Sequence, residues 1–296
     1  DGGSSSPAIF TVTVENIAPT VSTINPVNSI NEGTPFPSNA FSFTFSDPGG
    51  LNDSPFTVFA SWKSDAFVQV AQCINPSISC SFGSSPIFED SGNFVVRFYV
   101  QDIDGAQSSI QSVNVVVIDI PPSFQAPLVM GMTINEGQRT PTRQFSFVDP
   151  AGAADGRYRA DIFWAPGFTQ SLGSLNSGSV YTLPASPVGA FPDGPNTFTA
   201  SITIVDADGV SSAPHNFQIT VNNVAPTLTI PQSVRSVTLN EGSVFSLAGV
   251  SFPFSDPAGA LDGPFVFSIS ENNQNFVDID SFPTTNTPAQ LTYERF

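Results

Sequence analysis

Positive charge is what this sequence has least of. Its 296 residues carry 8 Lys and Arg against 25 Asp and Glu, a formal net charge of −17 at pH 7. Phosphate backbones and anionic lipid headgroups are held by Lys and Arg that neutralise them, so neither nucleic acid nor a membrane surface is expected as a partner of this segment. One histidine and two cysteines leave any zinc site short of ligands. No phosphate-binding loop, zinc-protease motif or nucleophile elbow is present, and the lone His215, in "SAPHNFQ" at a hairpin start, reads as a surface residue rather than a base. The segment is therefore expected not to be an enzyme. Apolar runs stay short of the ~18 residues of a membrane-spanning helix. Stretches with a helical period are missing too, because 27 Pro and 22 Gly interrupt the chain at every turn.

What is present is apolar and repeated. Hydrophobic residues make up 40% of the chain, with 28 Phe. Runs such as "FSFTF" (41–45), "FVVRFYV" (94–100), "VNVVVI" (113–118), "FTASITIV" (198–205) and "FQITV" (217–221) alternate or are wholly apolar, and they are rich in β-branched and aromatic residues, the pattern of strands. Asp-Gly pairs begin at Asp1, Asp104 and Asp208, steps of 103 and 104 residues; "INEG" or "LNEG" sets Glu at 32, 136 and 241; "SDPGG", "VDPAG" and "SDPAG" set Asp at 47, 149 and 256. A period of this length is that of whole small domains in tandem. Linkers bearing proline, "VENIAPT" (14–20), "VIDIPPS" (117–123) and "VNNVAPT" (221–227), are short and semi-rigid.

These marks divide the chain into a last-strand segment of a preceding or partner unit at 1–19, repeats at 20–120 and 121–224, and a third repeat at 225–296 that lacks its final strands. Asp1 starts inside a repeat and Phe296 stops in "LTYERF", which matches "NFVVRF" at 93–98, so the chain reads as a window on a longer protein. Several short strands per unit of about 100 residues predict an all-β chain of tandem immunoglobulin-like Greek-key β-sandwiches in an extended array. Trp62 and Trp164 fall on the third main strand of their repeats, where an indole suits a sandwich core; an exposed platform for sugar is the alternative, and the third repeat has Glu271 at that offset. Cys73 and Cys80, in "QCINPSISCSF", suit a local disulfide formed in an oxidising, extracellular compartment.

The set "NVAPT", "NEG" before "FSFTFSDP", a Trp strand and "VDADG" before "ITVNNVAPT" resembles the PKD domain and its bacterial PKD-like and cadherin-like relatives, over nearly the whole chain. The resemblance implies immunoglobulin-like sandwiches in tandem on cell-surface or secreted proteins, where such units space, adhere or bear load. The "WDFGDG" of PKD domains is replaced here by "WKSDAF" and "WAPGF".

Strand direction places the loops after "FSFTFSD" and "VDADG" at the end of a sandwich that receives the preceding linker, and the "NEG" turn at the opposite end. Each junction then gathers acids from two repeats: Glu32 and Asp90, the linker's Asp119, and Asp149, Asp206 and Asp208 of the next repeat. Asp47, Asp102, Asp104, Glu136 and Asp256 are the matching positions elsewhere. Carboxylates in this number suit Ca2+, which takes about 6 to 8 oxygen ligands, and the resemblance to cadherin-like arrays implies the same ion. Against this stands the structural reading, in which Asp at a loop start caps backbone N–H groups by itself. The second linker has Asn222 and Asn223 where the first has Asp119.

Residues 8–15 (Ala8, Ile9, Phe10, Thr11, Val12, Thr13, Val14, Glu15) are of last-strand type and have no sandwich of their own, whereas the third repeat has an open edge able to accept a strand. The expectation is a structural or adhesive segment of a long extracellular or cell-surface protein, a stalk or filament joined head to tail by strand complementation. Its partners would be further copies or the continuation of the same chain, with surface glycans or other cell-surface proteins beyond. A spacer or substrate-binding array of a secreted hydrolase is the alternative.

Overall fold

The computed structural model describes residues 1–25, 29–37, 41–62, 66–76, 79–82, 86–126, 128, 131–247, 250–270, 276–282, 289–290 and 294–295; Glu271 lies outside them. Among these residues there is no α-helix, only strands and three short 3-10 turns, and no helix long and apolar enough to cross a membrane. Two compact units emerge: Asp1–Pro121 with the loop Asp149–Gly156, and Pro122–Val148 with Arg157–Phe296.

In the first unit the strands are β1 (Thr20–Asn25), β2 (Ser29–Asn31), β3 (Ser42–Ser46), β4 (Phe56–Ser61), β5 (Val68–Cys73), β6 (Cys80–Ser81), β7 (Gly92–Gln101) and β8 (Gln111–Ile118). They form two sheets, β1-β3-β6 and β2-β8-β7-β4-β5. The period of two decides what each face does: along β8, Val113, Val115 and Val117 are buried while the residues between them face outward. Much of the phenylalanine goes into the core between the sheets, where Phe41 stacks on Phe82 at 4.5 Å and Phe43 meets Phe98 at 4.9 Å. Half-buried Trp62 packs on Phe82 at 5.4 Å and Phe36 at 5.5 Å.

The second unit repeats the plan with β9 (Ser123–Phe124), β10 (Met132–Asn135), β11 (Arg143–Val148), β12 (Tyr158–Ala165), β13 (Phe168–Leu175), β14 (Val180–Leu183), β15 (Asn196–Val205) and β16 (His215–Asn222). Their sheets are β14-β11-β9 and β10-β16-β15-β12-β13. Trp164 is fully buried, its indole N–H donating to Gln170 Oε1 at 2.8 Å. Trp164 is thus taken up by its core, while Trp62 packs against the edge of its own.

One pairing positions everything that follows. In each of the first two repeats a short strand runs parallel to the last one: β2 beside β8, with Asn31 opposite Ile118, and β10 beside β16, with Asn135 opposite Asn222. The turn that follows, Glu32-Gly33 or Glu136-Gly137, is thereby fixed at the point where the last strand leaves the sandwich.

The third repeat is less filled in. Phe265–Ser270 pairs with Phe276–Phe282 as the counterpart of β4 with β5, and among the described residues no strand takes the other edge of Phe265–Ser270, which β7 and β15 occupy in the first two repeats. Glu294–Arg295 pairs with Phe245–Ser246 instead. Of the strand expected from the match of "LTYERF" to "NFVVRF", Glu294 and Arg295 lie among the described residues, and their pairing differs from that of β7.

Candidate functional site

Among the described residues Glu32 is the most enclosed charge-bearing group, 0% exposed at the end of β2. Its N–H donates to the Ile118 carbonyl at 3.0 Å, which carries the parallel ladder one step beyond the strand. Gly33 then turns the chain with φ +64° and donates to the Phe88 carbonyl at 2.8 Å. The glycine is required twice over: its φ is left-handed, and a β-carbon there would run into the carbonyl of Pro150, in the loop Asp149–Gly156.

The Glu32 carboxylate is used only by half. Oε1 accepts the Ile120 N–H at 2.7 Å, while Oε2 is buried with no hydrogen-bond partner. Carboxylate oxygens of Glu32, Asp119 and Asp155 lie within 4.8 Å of one another. Burial pushes the Glu32 carboxyl up to about 7 from 4.5; the Ile120 hydrogen bond opposes this, and the charges of Asp155, Asp119 and Asp149 add to it. Asp90, exposed, brings a carboxylate oxygen within 4.8 Å of one from Asp155.

Two related clusters follow the period. In the second unit Glu136, Asp193 and Asp262 gather within 4.8 Å. There Glu136 is 1% exposed but fully hydrogen-bonded, with Oε1 accepting from Val224 at 2.8 Å and Oε2 from Gly194 at 3.0 Å. Burial, a hydrogen bond with Asp193 and the charges of Glu136, Asp256 and Asp193 raise the Asp262 carboxyl. In the first unit Asp47, Asp53 and Asp102 form the third cluster. Asn16 of the first linker donates to Asp102 Oδ2 at 3.0 Å, and burial, Asp47, Asp102 and Asp104 raise the Asp53 carboxyl.

Turn-making accounts for one oxygen of most of these aspartates. Asp47, Asp149 and Asp256 each accept, through Oδ1, the N–H two residues on, at 2.8, 2.8 and 2.9 Å. Asp102 and Asp206 accept the N–H four residues on at 2.9 and 2.8 Å. The second oxygens of Asp47, Asp206 and Asp256 are buried without a hydrogen-bond partner, so turn formation does not exhaust these groups. Asp104 and Asp208 are exposed at the tips of their turns. Cys73 and Cys80 are bonded to each other between β5 and β6, their Cα atoms 6.1 Å apart.

Four acids of these clusters escape the motif reading: Asp53, Asp155, Asp262 and Asp193. The first three stand six residues after Asp47, Asp149 and Asp256, a spacing that the repeat itself displays. A carboxylate six residues into an irregular loop has no strand period to announce it.

Residues 8–15 belong to no sheet. Phe10, Val12 and Val14 are 84%, 69% and 88% exposed. The linkers align these residues with β8 and β16, and the equivalents Val113, Val115 and Val117, or Phe217, Ile219 and Val221, are all buried at 9% or less.

The sheets define a class: tandem immunoglobulin-like β-sandwich repeats. Comparison with protein-family models and with curated proteins finds no match. Among solved structures, similar chains are PKD, cadherin and related repeat domains. The PKD domain of an M14-like peptidase from Thermoplasmatales archaeon SCGC AB-540-F20 is 21% identical over 35% of this chain and 98% of its own, with TM-score 0.29. Human protocadherin-24 EC1-2 is 20% identical over 70% and 99%, with TM-score 0.32. Human CDH23 EC21-23 is 12% identical over 94% and 90%, with TM-score 0.34. At these identities the likeness concerns the fold alone.

Proposed function

We propose that this chain is a non-catalytic structural segment of an extracellular or cell-surface array, joined head to tail by strand complementation and stiffened by Ca2+. The observation that carries the reading is the exposure of Phe10, Val12 and Val14 at positions buried in both complete repeats. A strand of the type of residues 8–15, from a further copy or from the continuation of the same chain, takes the place of the last strand in the third repeat, as β8 and β16 do in theirs. Burying an apolar side chain of this size stabilises by about 1.5–3 kcal/mol, so three of them supply a driving force that a single hairpin tip does not.

The Glu32 cluster is the calcium site this reading favours. A buried carboxylate oxygen with no hydrogen bond, facing further carboxylates, is costly by itself and matches the oxygen chemistry of a hard divalent cation. Glu32, Asp119 and Asp155 would hold the ion, which supplies charge compensation and binds only the folded state. At the second cluster Glu136 is already satisfied by two backbone N–H groups, which favours a weaker site there.

The test is Val12→Asp, followed by light scattering as chain concentration rises. The variant is expected to stay monomeric with unchanged melting of the first two repeats while the parent chain associates. Equal association of both chains would refute the strand reading.

A further inference from the structure

The outer faces of the two five-stranded sheets carry the same grid of side chains and use it in opposite ways. In the second repeat Thr203, Asp161 and Ser171 stand side by side on β15, β12 and β13, and Ser201, Phe163 and Thr169 form the next row. In the first repeat the matching positions on β7 and β4 are Tyr99 and Phe59 in one row, Arg97 and Ser61 in the next. Tyr99 and Arg97 lie 104 residues before Thr203 and Ser201, the step that separates Asp104 from Asp208.

The first grid is filled by its own side chains. Phe59 stacks on Tyr99 at 5.2 Å, Phe67 packs on Tyr99 at 5.1 Å, and the Arg97 guanidinium lies 5.9 Å from the centre of the Phe67 ring. Ser61 is left 2% exposed. The second grid is open: its six side chains line a cleft of about 460 Å3, and Phe163, at the position of Ser61, is 39% exposed. Strands and pairing are the same in both repeats, so the cleft comes from the choice of side chains and not from the fold.

The lining determines what fits. Asp161 is held from two sides, with Arg159 Nε donating to Oδ2 at 3.0 Å and Ser171 Oγ to Oδ1 at 2.7 Å. Its charge is matched on the spot, so an ionic ligand finds no unpaired charge here. The hydroxyls of Thr169, Ser201 and Thr203 make no side-chain hydrogen bond among the described residues, and each can both donate and accept. Between two of them Phe163 offers an aromatic ring, whose negative face attracts C–H groups. An uncharged ligand with one apolar face and a rim of hydroxyls satisfies all of these, and that is the chemistry of a neutral pyranose. Three strands across and two rows along span about 10 Å by 7 Å, the area of one or two sugar rings.

We propose that this face of the second repeat binds a neutral hexopyranose of a glycan or polysaccharide, its C–H face on Phe163 and its hydroxyls shared among Thr169, Ser201, Thr203 and Asp161. A few polar groups placed around an aromatic ring in a concave surface are the usual makings of such a site. It uses neither residues 8–15 nor the acidic clusters, so it stands apart from the strand and calcium readings.

Saturation-transfer difference NMR on the full chain tests this, with methyl glucoside, methyl galactoside and methyl mannoside as probes and methyl glucuronide as the charged control. The parent is expected to bind at least one neutral glycoside with a dissociation constant on the order of millimolar, and the glucuronide more than about tenfold more weakly. Phe163→Ala should weaken the neutral sugar more than about tenfold. Ser201→Arg with Thr203→Tyr, which carries the first repeat's side chains into the cleft, should abolish binding, whereas Tyr99→Ala in the filled grid should leave it unchanged. An unaltered urea midpoint shows that each variant is folded. Dextran, galactan and mannan then separate the sources: affinity per sugar that rises in the polymer marks a polysaccharide, affinity that does not marks the terminal sugar of a glycan, and both agree with the cleft. No saturation transfer to any neutral glycoside would overturn the proposal, as would Phe163→Ala and the filled variant binding like the parent, or a glucuronide that binds as well as the neutral sugars.

Discussion

Replacing Glu32 with glutamine should stabilise the cation-free protein above neutral pH, although it alters a fully buried residue. Burial, with the charges of Asp155, Asp119 and Asp149 added and the Ile120 hydrogen bond opposing, pushes this carboxyl up to about 7 from 4.5. The folded state thus holds the proton more tightly than the unfolded chain. The stability linked to protonated Glu32 is full below the unfolded value of 4.5 and is lost as pH rises to about 7. At 1.36 kcal/mol for each unit, the loss across that window is about 3 kcal/mol. Glutamine keeps an oxygen for the Ile120 N–H and removes the charge. In chelator at about pH 8, Glu32→Gln should therefore be more stable than the parent by about 3 kcal/mol, on the order of 10 °C in Tm for one sandwich, and its stability should vary less between pH 4.5 and 7. Urea unfolding followed by Trp62 fluorescence, in a Trp164→Phe background, reads the first repeat alone. With excess calcium the order should reverse, because the parent gains from binding and the variant has lost a ligand. A variant no more stable than the parent in chelator, with the same pH slope, would refute the account of this carboxylate.

The other expectations are simpler. Trp164→Ala, at a fully buried indole, should cost the second repeat about 3–5 kcal/mol in denaturant unfolding and leave the first repeat's transition in place. Replacing Cys73 and Cys80 together by serine, seven residues apart in sequence, should lower first-repeat stability by about 2 kcal/mol, and a reducing agent should do the same to the parent chain.

The strands were legible because their burial is local. Alternation in "VNVVVI" announces Val113, Val115 and Val117 facing inward, and the structure places them there. The repeat period also exposed the Asp-Pro and Asn-Glu-Gly marks. What it could not show is why Glu32 matters: that depends on a three-residue strand, Ser29–Asn31, pairing parallel with residues of β8 that lie 87 positions further on, and three residues carry no period. Asp155 and Asp53 were hidden for a related reason, since an irregular loop fixes the direction of a carboxylate through turns rather than alternation. The sequence of residues 8–15 declares a last strand without a sandwich of its own, and in the structure the segment lies outside every sheet with side chains exposed whose repeat equivalents are buried.

The most direct measurement is hydrogen–deuterium exchange of residues 8–15 across a range of chain concentrations. If this segment completes the third repeat of another copy, its amides should become protected as concentration rises, approaching the protection of β8 and β16, with the steepest gain near Val12. Free exchange at every concentration, alongside protected β8 and β16, would contradict the proposal that these repeats are joined by a donated strand.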